Sequence, residues 1–260
     1  GSVVEEALEK VLAINDDPVT IEYIEKAIAD RGFQEGWIKA EPPLMRTEKK
    51  VAVVGSGSAG LAVAQQLNRC GHTVTVFERD DYIGGLLTLG IPDFKLDKSV
   101  VQRRVDLLAE EGVVFKTGVN VGVDMPVDKL LATFDAVCLT GGCTQARELP
   151  IPGRELQGVH QAMDYLTQQN RLVAGETIAP EERITAEEKR VVILGGGDTG
   201  ADCLGTAHRQ GAEVVHQYEL LPEPPPSRKP DNPWPYWGLI MRSSAAHEEG
   251  GIRDYSIDRK

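Results

Sequence analysis

The chain is poor in cysteine: Cys70, Cys138, Cys143 and Cys203 are the only four in 260 residues, and none stands in C-x-x-C spacing. That pattern excludes a zinc ribbon and a disulfide framework, and it fits a reducing, cytoplasmic setting. No run approaches 18 apolar residues, and the first residues lack the charged-then-apolar order of a signal peptide, so neither membrane spanning nor export is expected. Basic side chains are in deficit, 28 Lys and Arg against 40 Asp and Glu, for a formal charge of −12 at pH 7. Such a surface repels phosphate backbones and excludes nucleic acid as a partner. It does not exclude dinucleotides, which are held locally by backbone N–H groups at a helix N-terminus.

What is present is a repeated pattern. VVEEALEKVL (residues 3–12) has the apolar spacing of one helix face. A second helix is expected from Asp17 as N-cap and Pro18 at the first helical position, with Ile21, Ile24, Ala27 and Ile28 on one face and Gly32 as terminator. KAEPPLMRTEKK reads as a linker. From Val51 the chain alternates apolar runs of strand length with helical stretches, first VAVVG, LAVAQQL and TVTVFE, then a helix in KSVVQRRVDLLAEEG and strands in VVFKTGVNV and DAVCLTGG. A helix near HQAMDYLTQQNRL follows, and the β-α-β order restarts at RVVILGGG and ends at VVHQYE. After Leu220 the proline-dense LPEPPPSRKPDNPWPYW excludes helix and interior strand. The prediction is an α/β fold of two Rossmann-like units behind a short helical segment. Its boundaries fall at residues 1–47 for the segment and linker, 48–156 for the first unit and 157–260 for the second, incomplete one.

Each unit opens on a glycine turn between a strand and a helix. In the first, Gly55, Gly57 and Gly60 fit G-x-G-x-x-G: the first allows a tight turn, the second lets a pyrophosphate approach the backbone, and the third lets helix and strand pack closely. Glu78, at the end of the next strand, is placed to accept hydrogen bonds from ribose hydroxyls. The second unit repeats the set with Gly195, Gly197, Gly200 and Glu219. Two such turns imply two nucleotides, and the simplest chemistry joining them is hydride transfer from a nicotinamide to a flavin.

The stretch from GSGSAGLAVAQQL through DYIGGLLTLGIPDFKLDKSVVQRRVDLLAEEGV, with LPIPG, GGGDTGADC, NPWPYW and SSAAHEEGGIRDYS, resembles the small (β) subunit family of glutamate synthase. The resemblance runs from about Asn15 to the C-terminus. It implies FAD on the first turn, with Gly55, Gly57, Ser58, Ala59 and Gly60 under the pyrophosphate, Glu78 on the adenosine ribose and Arg79 nearby. It also implies that Gly85 and Leu86 lie near the flavin end, and that Thr140, Gly141 and Gly142 form a second FAD-contacting turn. The turn with Asp198 and Thr199 at its tip would hold the nicotinamide dinucleotide. Glu219 would repel a 2′-phosphate, which favours NADH over NADPH, although Arg228, Lys229 or Arg242 could answer one. The implied partner is the glutamate synthase large subunit, which receives the electrons.

Two departures stand out. Where the family places the last cysteines of its iron–sulfur segment, this sequence has Glu6 and Lys10, which cannot replace thiolates, so no iron–sulfur cluster and no other metal is expected. The second unit also lacks the family's return to the FAD domain, so the chain reads as a fragment. Cys138, Cys143 and Cys203 read as structural, and His247-Glu248-Glu249 lacks the second histidine of a zinc helix. Trp234 to Trp237 either shape the nicotinamide approach or pack the proline-rich loop, and Lys95 is near the flavin by family position or else a solvated lysine. Hydride transfer needs positioning rather than an acid or base, so no catalytic residue is assigned. Two rival functions share these motifs: a non-catalytic nucleotide-binding or docking module, and a reductase for another acceptor such as ferredoxin.

Overall fold

The computed structural model describes residues 21–257. The expected helix over residues 3–12, the capping pair Asp17 and Pro18, and the positions Glu6 and Lys10 lie outside the described residues. Helix α1 spans Ile21–Gln34. Its apolar face is not buried: Ile21, Ile24 and Ile28 are all exposed. The helix docks instead by its C-terminal end, where Asp30 pairs with Arg103 at 2.7 Å and the Arg103 guanidinium lies 4.3 Å from the centre of the Phe33 ring. Gly32 does not end α1. It sits inside the helix so that Ile38 can pack on it, an added Cβ lying 2.8 Å from Ile38 Cδ1. The chain leaves the helix at Gly36, whose φ of +69° suits glycine after a helix end.

Residues 37–49 form no regular element but are strapped down. Arg46 donates to Asn68 Oδ1 at 2.7 Å, to the His72 carbonyl at 2.8 Å and to the Glu111 carbonyl at 3.2 Å. Glu111 itself is fully buried and receives Arg69 Nη2 at 2.6 Å. Burial alone would raise the Glu111 carboxyl pKa, but the hydrogen bonds from Arg69 and the Glu41 N–H, with the Arg69 charge, outweigh it and hold the pKa below the ordinary carboxylate value. A depressed folded pKa makes this pair stabilising above about pH 4.5, and that contribution disappears as pH falls through the folded value. Arg69→Met should therefore cost about 2 kcal/mol at pH 7, less than a fully buried pair because Arg69 is partly exposed, and should shift acid unfolding to higher pH. Circular dichroism against pH checks both.

The first unit is a parallel sheet of β1 (Lys50–Val54), β2 (Thr73–Phe77), β3 (Val114–Lys116) and β4 (Ala136–Leu139), in the spatial order β3-β2-β1-β4. The crossovers that parallel strands need are supplied by α2 (Ser58–Arg69), α4 (Lys98–Glu110, after the one-turn α3 at Leu86–Leu89) and α5 (Val127–Thr133). Both sheet faces are covered. Val53, Val74 and Val76 pack under Leu61, Val105 and Leu108 on one side, and Ala52 and Phe77 meet Leu130 on the other. The strand expected over VVFKTGVNV is only three residues long, because the chain turns away at Gly118 to bond Asp80.

Helix α6 (Ala162–Val173) leads to the second unit, built from β5 (Arg190–Leu194), α7 (Asp198–Arg209), β6 (Val214–Tyr218), α8 (Ala245–Glu248) and β7 (Ile252–Asp254). Its parallel sheet runs β5-β6-β7. One face carries α7, with Leu204 and Ala207 against Val191, Ile193 and Val215. On the opposite face Val192 and Leu194 are exposed. The proline-rich stretch forms no helix or strand up to Ser244. No helix among the described residues is long and apolar enough to cross a membrane.

Candidate functional site

The two glycine turns have the same construction, and sterics explain each glycine. At Gly55, φ is +104° and an added Cβ would sit 2.5 Å from the Thr140 carbonyl oxygen. At Gly60 it would sit 2.0 Å from the Gly55 carbonyl oxygen, so α2 can approach β1 only without a side chain there. At Gly57 nothing lies within 4 Å, which leaves the space open for an approaching ligand. The second turn repeats this at two positions, Gly200 being closed by the Gly195 carbonyl oxygen at 2.3 Å and Gly197 open, while at Gly195 an added Cβ would meet nothing within 4 Å and only the φ of +123° calls for glycine. Neither α2 nor α7 has a side-chain hydrogen bond at its N-cap, Gly57 or Gly197. The first N–H groups of each helix, including those of Ser58 and Ala59 in one and Asp198 and Thr199 in the other, are thus left without a side-chain cap at the positive end of the helix, beside the open space at Gly57 and Gly197.

Each turn is pinned by the carboxylate of the following strand. Glu78 Oε2 accepts from the Ser56 N–H at 3.0 Å and the Ser56 hydroxyl at 2.6 Å, while Oε1 accepts from the Asp80 N–H at 3.0 Å. Glu219 Oε2 accepts from the Gly196 N–H at 2.7 Å, and Oε1 from the Leu221 N–H at 3.1 Å. The geometry is the same except for the hydroxyl. With about four lone-pair sites on a carboxylate, Glu78 retains one and Glu219 two for a ligand's ribose. Ser56 was not among the residues singled out by sequence. Fully buried, it also accepts from the Gly84 N–H at 3.0 Å and so ties the Gly84-Gly85 loop to the turn. Its only sequence signal was its place as the second residue of the motif.

Of the remaining candidates, Gly85 lies on Gly57, an added Cβ reaching 3.0 Å from its Cα, and Leu86 beside it is exposed. Thr140 donates through Oγ1 to the Val54 and Gly55 carbonyls, both at 3.0 Å, and Gly141 lies against Gly55. Gly142 is further out and exposed. The exposed Arg79 reaches only Asp80, at 3.7 Å. Lys95 is not a solvated surface lysine: its ammonium pairs with Asp202 on α7 and joins the two units. The four cysteines are free, and the Cys203 thiol is pushed up to about 12 by burial and the nearby Asp202, so it is protonated and inert. Among the described residues no group of His, Cys, Asp or Glu could hold a metal ion.

Beside the second turn lies a cavity of about 610 Å³, bounded by Glu219, Trp237, Lys229, Arg242 and Arg253. The Arg242 guanidinium stacks 3.9 Å from the centre of the Trp237 ring, while Trp234 and Tyr236 are exposed.

Residues 49–228, which include both turns, match the pyridine nucleotide-disulphide oxidoreductase family. The chain belongs to that family. Among its relatives, the glutamate synthase [NADPH] small chain of Mycobacterium tuberculosis is 59% identical over 251 residues, covering 95% of this chain and 51% of the relative. The small chain from Bacillus subtilis is 49% identical over 252 residues with the same coverage. Glutamate synthase [NADH] of Schizosaccharomyces pombe is 46% identical over 254 residues, 95% of this chain and 12% of that one. The chain therefore spans about half the length of the small chains it matches. In fold it is similar to Mycobacterium tuberculosis FprA in complex with NADPH, with a TM-score of 0.56 and 22% identity over 66% of this chain and 44% of the other. The two-unit α/β reading of the sequence agrees with both the family and the fold.

Proposed function

We propose that the first turn holds FAD and the second a nicotinamide dinucleotide, as part of an oxidoreductase that draws hydride from NAD(P)H. Its electrons would go to a glutamate synthase large subunit for glutamate synthesis from glutamine and 2-oxoglutarate. The observation that carries this reading is the pair of uncapped, glycine-lined helix N-termini, each with a carboxylate at the end of its next strand. The open space over Gly57 fits a pyrophosphate, and the residues that would hold FAD are Gly55 to Gly60, Glu78, Gly85 and Thr140 to Gly142. When bound, FAD supplies the exchange between two-electron and one-electron transfer. The chain's own part is to orient: the turn N–H groups fix the phosphates, and Ser56 and Gly196 hold the carboxylates at the ribose end. With no cysteine before Cys70, we place no iron–sulfur cluster in this chain.

NADH is the preferred donor on this reading, because Glu219 would repel a 2′-phosphate. A second reading, NADPH, is favoured by Lys229, Arg242 and Arg253 around the adjacent cavity. The Michaelis constants decide between them: NADPH preference that collapses at high ionic strength identifies those cations as its partners.

The function is tested by the anaerobic visible spectrum of the purified chain with FAD and then NADH or NADPH. Flavin bands that survive gel filtration and bleach on adding the dinucleotide are expected. A folded chain that retains no flavin at saturating FAD overturns the assignment of the first turn, and retained flavin that never bleaches points to the docking-module reading.

A further inference from the structure

The two turns secure the carbonyl of their first glycine by different means. Gly55 O accepts from the Thr140 hydroxyl, which follows β4. Among the described residues no strand flanks β5 on the side corresponding to β4, and Gly195 O accepts instead from Gln217 Nε2 at 2.9 Å. Gln217 takes on β6 the place that Val76 takes on β2, since it pairs with Ile193 as Val76 pairs with Val53. It is 2% exposed and wedged under the turn, so that a Cβ on Gly200 would lie 2.6 Å from its Nε2.

A buried primary amide needs partners at both ends. The Oε1 end is met by His247 Nε2 at 2.9 Å. Because Gln217 Nε2 is the donor to Gly195, its Oε1 must accept, and the proton of His247 is assigned to Nε2. His247 Nδ1 is then free to accept the Ser244 N–H at 3.0 Å, closing the cap of α8. Both bonds demand the same neutral tautomer. Burial, with Arg253 and Lys95 nearby, lowers the His247 pKa and keeps the ring neutral.

We propose that His247 and Gln217 are a positioning pair for the second turn: the Nε2–H of His247 fixes the Gln217 amide, which fixes the Gly195 carbonyl and so the aim of the turn's N–H groups. This rests on the reading of that turn as the nicotinamide dinucleotide site. The pair acts through the turn, and its effect is confined to one of the two nucleotides.

The experiment is titration of the FAD-loaded chain with NAD+ and NADP+, which leave the flavin oxidised, followed by isothermal calorimetry, in parallel with FAD affinity. His247→Asn keeps an acceptor for Ser244 but loses the donor to Gln217, and should weaken dinucleotide binding about tenfold, the equivalent of ~1.4 kcal/mol. His247→Gln places an N–H where Nε2 was and should stay within about twofold of the parent. Gln217→Leu should match His247→Asn, and the double variant should lose no more than Gln217→Leu alone, because the pair acts as a unit. FAD affinity should not move. Parent-like dinucleotide binding by His247→Asn and Gln217→Leu overturns the inference alone, as does equal loss of FAD and dinucleotide affinity or failure of His247→Gln to rescue. A parent chain that binds neither dinucleotide overturns the reading of the second turn, and this inference with it.

Discussion

Gly60→Ala is expected to lose both flavin and stability, whereas Gly57→Ala loses flavin alone. The new methyl at position 60 would meet the Gly55 carbonyl oxygen at 2.0 Å and the Thr140 hydroxyl at 2.9 Å. The first of these is backbone, so no rotamer change relieves it, and α2 must move off β1. Overpacking of this kind costs about 3 kcal/mol. In a chain of this size that corresponds to a fall in melting temperature of roughly 6–12 °C. Gly57 is the internal control. Its φ of −63° and ψ of −178° suit alanine, and its Cβ would meet nothing within 4 Å. Stability should change by less than about 0.5 kcal/mol, the usual range for a surface change. FAD affinity should still drop, because the methyl would occupy the space left for the pyrophosphate. Calorimetry and flavin fluorescence on the two variants separate fold from binding. Full FAD affinity in Gly57→Ala would sink the assignment of the first turn.

Asp202→Ala is the second large effect, and its site is the seam between the units. Lys95 and Asp202 pair there with side chains only 23% and 11% exposed. The loop carrying Lys95 is pressed onto α7, Arg209 stacking 3.6 Å from the centre of the Phe94 ring and Phe94 itself filling the space that a side chain at Gly205 would take. Nearby, Asn170 donates to the Gly90 carbonyl at 3.2 Å. Removing the carboxylate leaves a mostly buried ammonium without its partner, which should cost about 3 kcal/mol. Replacing both groups with apolar ones, Lys95→Met with Asp202→Leu, should recover more than half of that loss, since the pair's desolvation penalty disappears with it. Urea unfolding of the single and double variants measures both. A double variant no better than Asp202→Ala would mean that the pair is worth more than its packing equivalent.

These two sites show what a linear reading reaches. The roles of Gly55, Gly57 and Gly60 follow from local sterics in a strand-to-helix turn, so the motif suffices to find them. The positions of Glu78 and Glu219 follow from the period of the β-α-β unit. What each carboxylate holds does not, because the Ser56 hydroxyl and the Gly196 N–H meet it only once β1 and β2, or β5 and β6, are paired. Lys95 met Asp202, and His247 met Gln217, through contacts between distant segments, and no spacing rule marks such pairs. Periodicity misled at α1, where Ile21, Ile24 and Ile28 share a face that the described fold leaves open: a period names a face but not what it faces. The α8 and β7 elements are too short to carry a period at all.

The uncovered side of the second sheet sets a physical limit on handling the protein. Val192 and Leu194 present apolar side chains to water on β5, which is also a sheet edge among the described residues. An edge strand with such a surface is a template for intermolecular pairing, and the unpaired N–H and C=O groups give that pairing direction. The molecule's colloidal behaviour is thus governed by a contest between the net charge of −12, which drives copies apart, and exposed apolar surface, this strip included, which draws them together. Salt weakens only the first of these, so concentrated samples should be kept at low ionic strength and well above the isoelectric point near 5.0.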